Sequence, residues 1–208
     1  MTQEVRPALR GRLHLLVALA SPAALLGLIL IADNPREYVS GAIFGAAMLL
    51  LFSASSAYHL ARRGRAFLQK LDRSMIFVLI AGTYTPFCLV VLGNGWGIPI
   101  LSLVWTFAGI GIAMKAFNPT PPRWLNLALY MAMGWLGVIA AAPLFSGTPT
   151  GAIPLMFLGG FFYSVGGIVH VLRRPDPFPT VFGYHEVFHL LTVAAGATFY
   201  STVVYTFV

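Results

Sequence analysis

Charge is scarce in this chain. Asp, Glu, Lys and Arg make up 9% of its 208 residues, against about 25% in a soluble domain. That is too little polar sequence to cover several near-continuous apolar runs of about 20 residues, so a soluble fold is excluded and a single membrane domain is expected. Cysteine is nearly absent as well. The lone Cys88 lies inside an apolar run, which rules out an intramolecular disulfide and leaves it as a small packing residue. Acidic residues are fewer than basic ones, 6 against 13, for a formal net charge of +7. The basic residues are scattered over short segments with no long basic helix or stacking platform, so a nucleic-acid partner is excluded. No internal repeat is evident, and the spans do not divide into equal halves, which disfavours an inverted-repeat transporter.

What the chain does contain is seven apolar runs, expected as transmembrane helices over 13–32, 38–61, 72–92, 97–117, 123–142, 151–172 and 182–207. The first follows a segment carrying Arg6, Arg10 and Arg12, and it is longer than the apolar region of a signal peptide, so it reads as an uncleaved helix. Asp33-Asn34-Pro35-Arg36-Glu37 ends it, because the residue before a proline is disfavoured in a helix. Arg62, Arg63, Arg65 and Lys70 read as a basic loop, Gly93-Asn94-Gly95 as a tight turn and Asn118-Pro119-Thr120-Pro121-Pro122 as a stop. Pro143 and the Ser146-Gly147-Thr148-Pro149 loop are expected to end the fifth helix, and Arg173-Arg174-Pro175-Asp176-Pro177 the sixth. The expected organisation is an N-terminal segment, 1–12, followed by one all-α, seven-transmembrane helix bundle over 13–208. Lys and Arg concentrate in cytoplasmic loops, and all of them except Arg36 fall on one side of this topology. The N-terminus is therefore expected in the cytoplasm and the C-terminus outside.

Tyr184-His185-Glu186-Val187-Phe188-His189-Leu190 opens the last span. Two histidines four residues apart share one helix face, about 5 to 6 Å apart, the spacing at which two imidazoles bind one zinc ion. The expected topology brings His59, at the end of the second helix, and Asp72, at the opening of the third, to the same depth. Polar groups in a span face the bundle interior, where they find a partner or a function. A zinc ion would give three imidazoles one shared partner and leave a fourth position for water or Asp72. Ser55 stands one turn before His59 on the same face and suits hydrogen bonding within that site.

The alternatives to each assignment are structural. His59 can be an interfacial histidine, and Asp72 can cap the third helix or pair with Arg73. Glu186 would be the general base of a zincin helix, yet its direction differs from that of the histidines by roughly 100°. It is expected instead to reach Arg173 or Arg174. His14 and His170 are expected as interfacial residues, with His14 also able to line the site. Within Ala81-Gly82-Thr83-Tyr84-Thr85-Pro86-Phe87, Pro86 should kink the third helix, Gly82 should permit close packing, and Tyr84 should face an interior cavity.

Ser55-x-x-x-His59, Asp72 and His185-x-x-x-His189, in that order, form a recognisable pattern. With Ser56-Ala57-Tyr58-His59, the stretch 81–87 and Phe182-Gly183-Tyr184-His185-Glu186-Val187-Phe188-His189, the chain resembles the hemolysin III family. This is the bacterial branch of the progestin and adipoQ receptor (PAQR) family, which is grouped with alkaline ceramidases. The resemblance covers essentially the whole chain. It implies a multi-pass protein of the bacterial cytoplasmic membrane with its N-terminus inside. It also implies Zn2+ held by His59, His185 and His189, with Asp72 holding the zinc water and Ser55 behind it. The first helix departs from the family pattern: Arg10-Gly11-Arg12-Leu13-His14 keeps the histidine without the acidic residue and asparagine that often precede it.

Three functions follow from this reading. The first is a zinc-dependent hydrolase of lipid amide or ester bonds, serving membrane lipid homeostasis, in which Asp72 takes a proton from the attacking water. Membrane lipids are then both environment and substrate, although ceramide as the particular substrate does not transfer. The second is a non-enzymatic sensor of membrane state, or receptor-like protein, in which zinc cross-links helices. The third is pore formation, which fits poorly because no span carries a continuous polar stripe. The oligomeric state is left open.

Overall fold

The computed structural model describes residues 7–117 and 122–208. Among these residues seven helices are long and apolar enough to cross a membrane: α1 (Arg12–Leu30), α2 (Pro35–Leu60), α3 (Arg65–Val91), α4 (Gly93–Phe117), α5 (Trp124–Gly147), α6 (Ile153–Leu172) and α7 (Tyr184–Phe207). The protein is an all-α membrane bundle. Helices are the economical solution here, because each closes its own backbone hydrogen bonds where no water is available.

The local chemistry of the helix starts and stops is visible. Asn34 accepts hydrogen bonds from the backbone N–H groups of Arg36 and Glu37, with Pro35 in the first turn of α2. Gly64, at φ +68°, sets the start of α3. That boundary corrects the expected one. Asp72 does not open the third helix but lies two turns inside it, and Arg65 and Lys70 are helical rather than part of a loop. An apolar run marks only the hydrocarbon, whereas Arg and Lys stems allow the helix to continue into the interface. The Gly93-Asn94-Gly95 reversal is wound rather than a simple tight turn. The last turn of α3, Phe87–Val91, and the first of α4, Gly93–Gly97, are π-helical, and Gly93 has φ +61°. The widened turn begins directly after Pro86, which offers no backbone N–H. Of the expected stop at 118–122, residues 118–121 lie outside the described residues, as does Arg6.

α5 differs most from expectation. It is α-helical to Gly134, tightens into a 3-10 stretch over Leu136–Ala140 and resumes as an α-helix over Ala141–Gly147. Pro143 does not end it, because it falls in the first turn of the resumed helix, where a missing N–H costs nothing. The break is held from α3. The Tyr84 hydroxyl donates to the Gly134 carbonyl at 2.7 Å and accepts from the Gly137 N–H at 2.8 Å.

Lipid tails are as apolar as leucine, so helices associate here by close packing rather than by a hydrophobic drive. One buried cluster joins α1, α2, α3 and α7 through Leu28, Phe44, Phe52, Leu79 and Val203. A second joins α3 to α4 and α5 through Phe77, Cys88, Val104 and Met133. Gly82 allows α2 and α3 to approach closely, since a Cβ there would stand 2.6 Å from the Ala47 Cβ. α2 and α3 are thus the interior helices. α5 is largely peripheral, with Trp135, Val138 and Ile139 exposed to the lipid side. Between α2, α3, α5, α6 and α7 lies a cavity of about 860 Å³.

Tyr84→Phe removes the one hydroxyl that answers both backbone groups of the α5 break. It is expected to lower stability by about 1–3 kcal/mol, the cost of leaving such groups unpaired. Thermal unfolding of the purified protein in detergent checks this, and a curve coincident with wild type would mean that the break is not held by Tyr84.

Candidate metal centre

Three imidazoles arrive from two helices. His59 lies in the last turn of α2, while His185 and His189 lie in the first turns of α7, one above the other. One ring-nitrogen donor from each of the three falls within 4.8 Å of the others. The Nε2 atoms of His185 and His59 face each other at 3.1 Å, and the His185 and His189 rings are 4.4 Å apart between centroids. His189 is buried, and His59 and His185 are half-buried. Gathering three nitrogen donors in this way matches what a metal ion needs, because tetrahedral ligands at 2.0 to 2.1 Å from a centre stand about 3.3 Å from one another.

Asp72 and Ser55 form a second pair in the same cavity. The Ser55 side chain stands beside the Asp72 carboxylate, and both line the cavity with the three histidines. Asp72 is not one of the three donors that cluster within 4.8 Å. Its neighbour on the α5 side, Tyr130, donates its hydroxyl to the Arg73 carbonyl at 3.2 Å. The start of α3 is tied to the end of α2 by Gln69, which donates to the Tyr58 hydroxyl at 2.8 Å, and by Arg65 over the Tyr58 ring. His59 and Asp72 therefore sit on a connection with little freedom to splay.

Two sequence expectations change. His14 is not an interfacial anchor, for it is 2% exposed and stacks on His189 with ring centroids 3.7 Å apart and planes 10° from parallel. Both of its ring nitrogens lack a hydrogen-bond partner among the described residues. A stacked ring cannot share an ion with the ring beneath it, because the lone pairs of each lie in its own plane. His14 buttresses His189 rather than joining its donors. Glu186 does not reach outward to loop arginines. It is 3% exposed, and its Oε2 accepts from the Gly183 N–H at 2.9 Å, which caps the start of α7. His170 stands at the edge of the cluster, its ring 5.6 Å from that of His185.

Two contributors escaped the sequence reading. The segment before α1 folds against the approach to α7: the N–H groups of Ala8 and Leu9 donate to the carbonyls of Thr180 and Val181 at 3.0 and 3.2 Å. It also presses on His59. Gly11 has φ +79°, and a Cβ there would stand 2.6 Å from the His59 Cβ. The glycine is required twice over, for the left-handed turn and for the approach. The only sequence signal was the Gly between Arg10 and Arg12, which periodicity does not weigh.

The sequence model of the family described as Haemolysin-III related matches residues 2–200. Over 197 residues the chain is 36% identical to "Hemolysin-3 homolog" of Bacillus subtilis (strain 168), covering 92% of this chain and 90% of that protein. Over 211 residues it is 31% identical to "Hemolysin-3" of Bacillus cereus, covering 99% and 94%. It is also 28% identical over 188 residues to "Adiponectin receptor protein" of Drosophila melanogaster, covering 81% of this chain and 42% of that one.

Metal analysis of the purified protein is expected to find one transition-metal ion per chain, lost on His185→Ala or His189→Ala. The buttress makes a sharper test. His14→Phe should keep the stack and the metal, whereas His14→Ala should weaken metal retention by roughly tenfold, as loss of a ligand-orienting neighbour does. Equal retention in both variants would leave His14 without this role.

Proposed function

The chain belongs to the haemolysin-III-related family, and from that premise we propose that it is a zinc-dependent hydrolase of amide or ester bonds in membrane lipids. The observation that carries this reading is the adjacency of the three-imidazole cluster to the Ser55–Asp72 pair on the wall of one cavity. Neutral imidazoles are the common zinc donors of catalytic sites, where three protein ligands leave one position open. The donor set fits that ion. His59, His185 and His189 would hold it, with His14 keeping His189 in register.

When bound, zinc supplies Lewis acidity toward a scissile carbonyl and makes a nearby water more acidic. The rest falls to the chain. Asp72 is the base that takes the proton of the attacking water at a carboxylate oxygen, and it returns that proton to the leaving amine or alcohol. Ser55, beside the carboxylate, would hold it by hydrogen bonding while it takes the proton. Away from the polar end, Ile80, Leu127, Met131, Phe157 and Phe161 supply walls suited to acyl chains. The positive-inside rule supports a cytoplasmic N-terminus, and with it a centre in the inner leaflet.

A second reading has its own support. α2 and α7 meet at the histidines, so an ion there would cross-link the bundle, and a sensor of membrane state would use zinc in that way. The two readings separate at Asp72. Asp72→Asn should abolish fatty-acid release from a panel of lipid amides and esters while the metal content stays at the wild-type level. Ser55→Ala should slow release by about 10- to 100-fold, the range for losing one positioning hydrogen bond. If metal-loaded wild type turns over no lipid in the panel, the hydrolase falls and the cross-link stands.

A further inference from the structure

The three imidazoles sit at the end of α2 and the start of α7, and the chain entering α1 touches both carriers. Gly11 lies so close to His59 that a Cβ of its own would stand 2.6 Å from the His59 Cβ. His14, in the first turn of α1, stacks on His189. At the start of α7, Pro7 is buried beside Gly183, where an added Cβ would stand 3.5 Å from the Pro7 Cγ. Arg10, between these points, lines the cavity together with the three histidines. Residues 7–10 therefore run as a strap from the α7 side of the centre to Gly11 on the α2 side.

The strap is fastened lightly. Among the described residues its backbone bonds to another segment are those of Ala8 N–H to the Thr180 carbonyl at 3.0 Å and of Leu9 N–H to the Val181 carbonyl at 3.2 Å. All four of these residues are exposed, and backbone bonds open to water belong to the least stable parts of a fold. Within the strap, the Arg10 N–H closes a turn on the Pro7 carbonyl at 3.1 Å, so the segment moves as one piece. Gly11 joins it to α1 at φ +79°, and no side chain caps the helix there. A glycine at an element end is free to turn, which makes this junction a hinge.

An ion has no other ready path to the centre. Away from its polar end the cavity is walled by Ile80, Leu127, Met131, Phe157 and Phe161, and a hydrated divalent ion crossing such a wall would shed its water with nothing to replace it. On the remaining side the Phe52 ring stands edge-on to His14, with centroids 5.0 Å apart. We propose that residues 7–10 are a lid on the metal centre, and that their detachment from Thr180 and Val181 about Gly11 is the step by which the ion enters and leaves. This inference rests on the metal centre, which both readings of function share, and not on hydrolysis.

The test reads exchange rather than turnover. Purified full-length protein is loaded with zinc, and the rate at which zinc passes to a water-soluble colorimetric chelator is followed. Ala8→Cys combined with Thr180→Cys places a thiol pair across the first of the two bonds, to be closed by oxidation and reopened with a phosphine reductant. Cys88 is buried and stays out of that chemistry. The oxidised protein should release zinc about tenfold or more slowly than the same protein reduced, because opening then requires far more than two exposed bonds to break. Ala8→Pro removes one of the two N–H donors and suits the second position of the Pro7–Arg10 turn. It should speed release by about two- to tenfold, the effect of one hydrogen bond on an opening equilibrium. In excess zinc both variants should fill as the wild type does, since no ring nitrogen is altered. Release equally fast in oxidised and reduced protein, or no faster in Ala8→Pro, overturns the lid and leaves the metal centre standing. A variant that no longer fills makes the segment part of the site's framework and overturns the lid as well. Wild type that takes up no zinc overturns lid and centre together.

Discussion

An imidazole carried into a bilayer loses the water that would have satisfied it, and it must recover a partner from the chain itself. That requirement brings the end of α2 to the start of α7, where His59, His185 and His189 converge. Much of the surrounding architecture serves the meeting. Gly11 lets the N-terminal segment press against His59, Glu186 caps the helix that carries the other two histidines, and His14 fills the flat face of His189. None of these three contacts is itself a metal contact. Each fixes a degree of freedom that three ring nitrogens alone would leave loose.

The opposite requirement acts on α5. A helix broken within the hydrocarbon frees backbone groups that lipid cannot answer, and the chain answers them with the Tyr84 hydroxyl from α3. The arrangement leaves α5 peripheral beside a cavity, rather than packed flat against its neighbours. Cavity and break belong together: a straight, closely packed fifth helix would fill the space that Tyr84, Met131 and Phe161 now line. The same α3 that holds the break carries Asp72 two turns from its start, so one helix connects the polar end of the cavity with its apolar wall.

How far the sequence foretold this follows from which forces leave a local trace. Seven apolar runs are long enough to be read by composition, and His59, His185 and His189 could be brought together because each lies near a helix end on one side of the topology. Helix boundaries were less legible. The first turns of α3 carry Arg65 and Lys70, whose stems are compatible with either loop or interfacial helix, and Pro143 halts a helix only when it lies beyond the first turn. His14 and Glu186 were misjudged for another reason. Both were assigned the partners usual at an interface, while their actual neighbours, the His189 ring and the Gly183 N–H, are set by packing and by the direction of a single side chain. Arg10 carries no periodic signal at all, and its place depends on backbone bonds from Ala8 and Leu9 to a loop some 170 positions away.

Whether such a centre holds helices or performs chemistry turns on what adjoins its open side. A structural zinc site is closed by four protein ligands, and its surroundings gain nothing from empty space. Here the described cluster offers three nitrogen donors, and the cavity wall continues from them to the Asp72 carboxylate with Ser55 beside it. The two sets are also borne differently: the imidazoles by α2 and α7, the carboxylate by α3. A relative shift of α3 would alter the distance from Asp72 to the cluster without breaking the cluster, which a mere cross-link does not require. Separation of the imidazoles from the carboxylate is the arrangement that would let a substrate enter between them, and it supports the hydrolase proposed above over the cross-link.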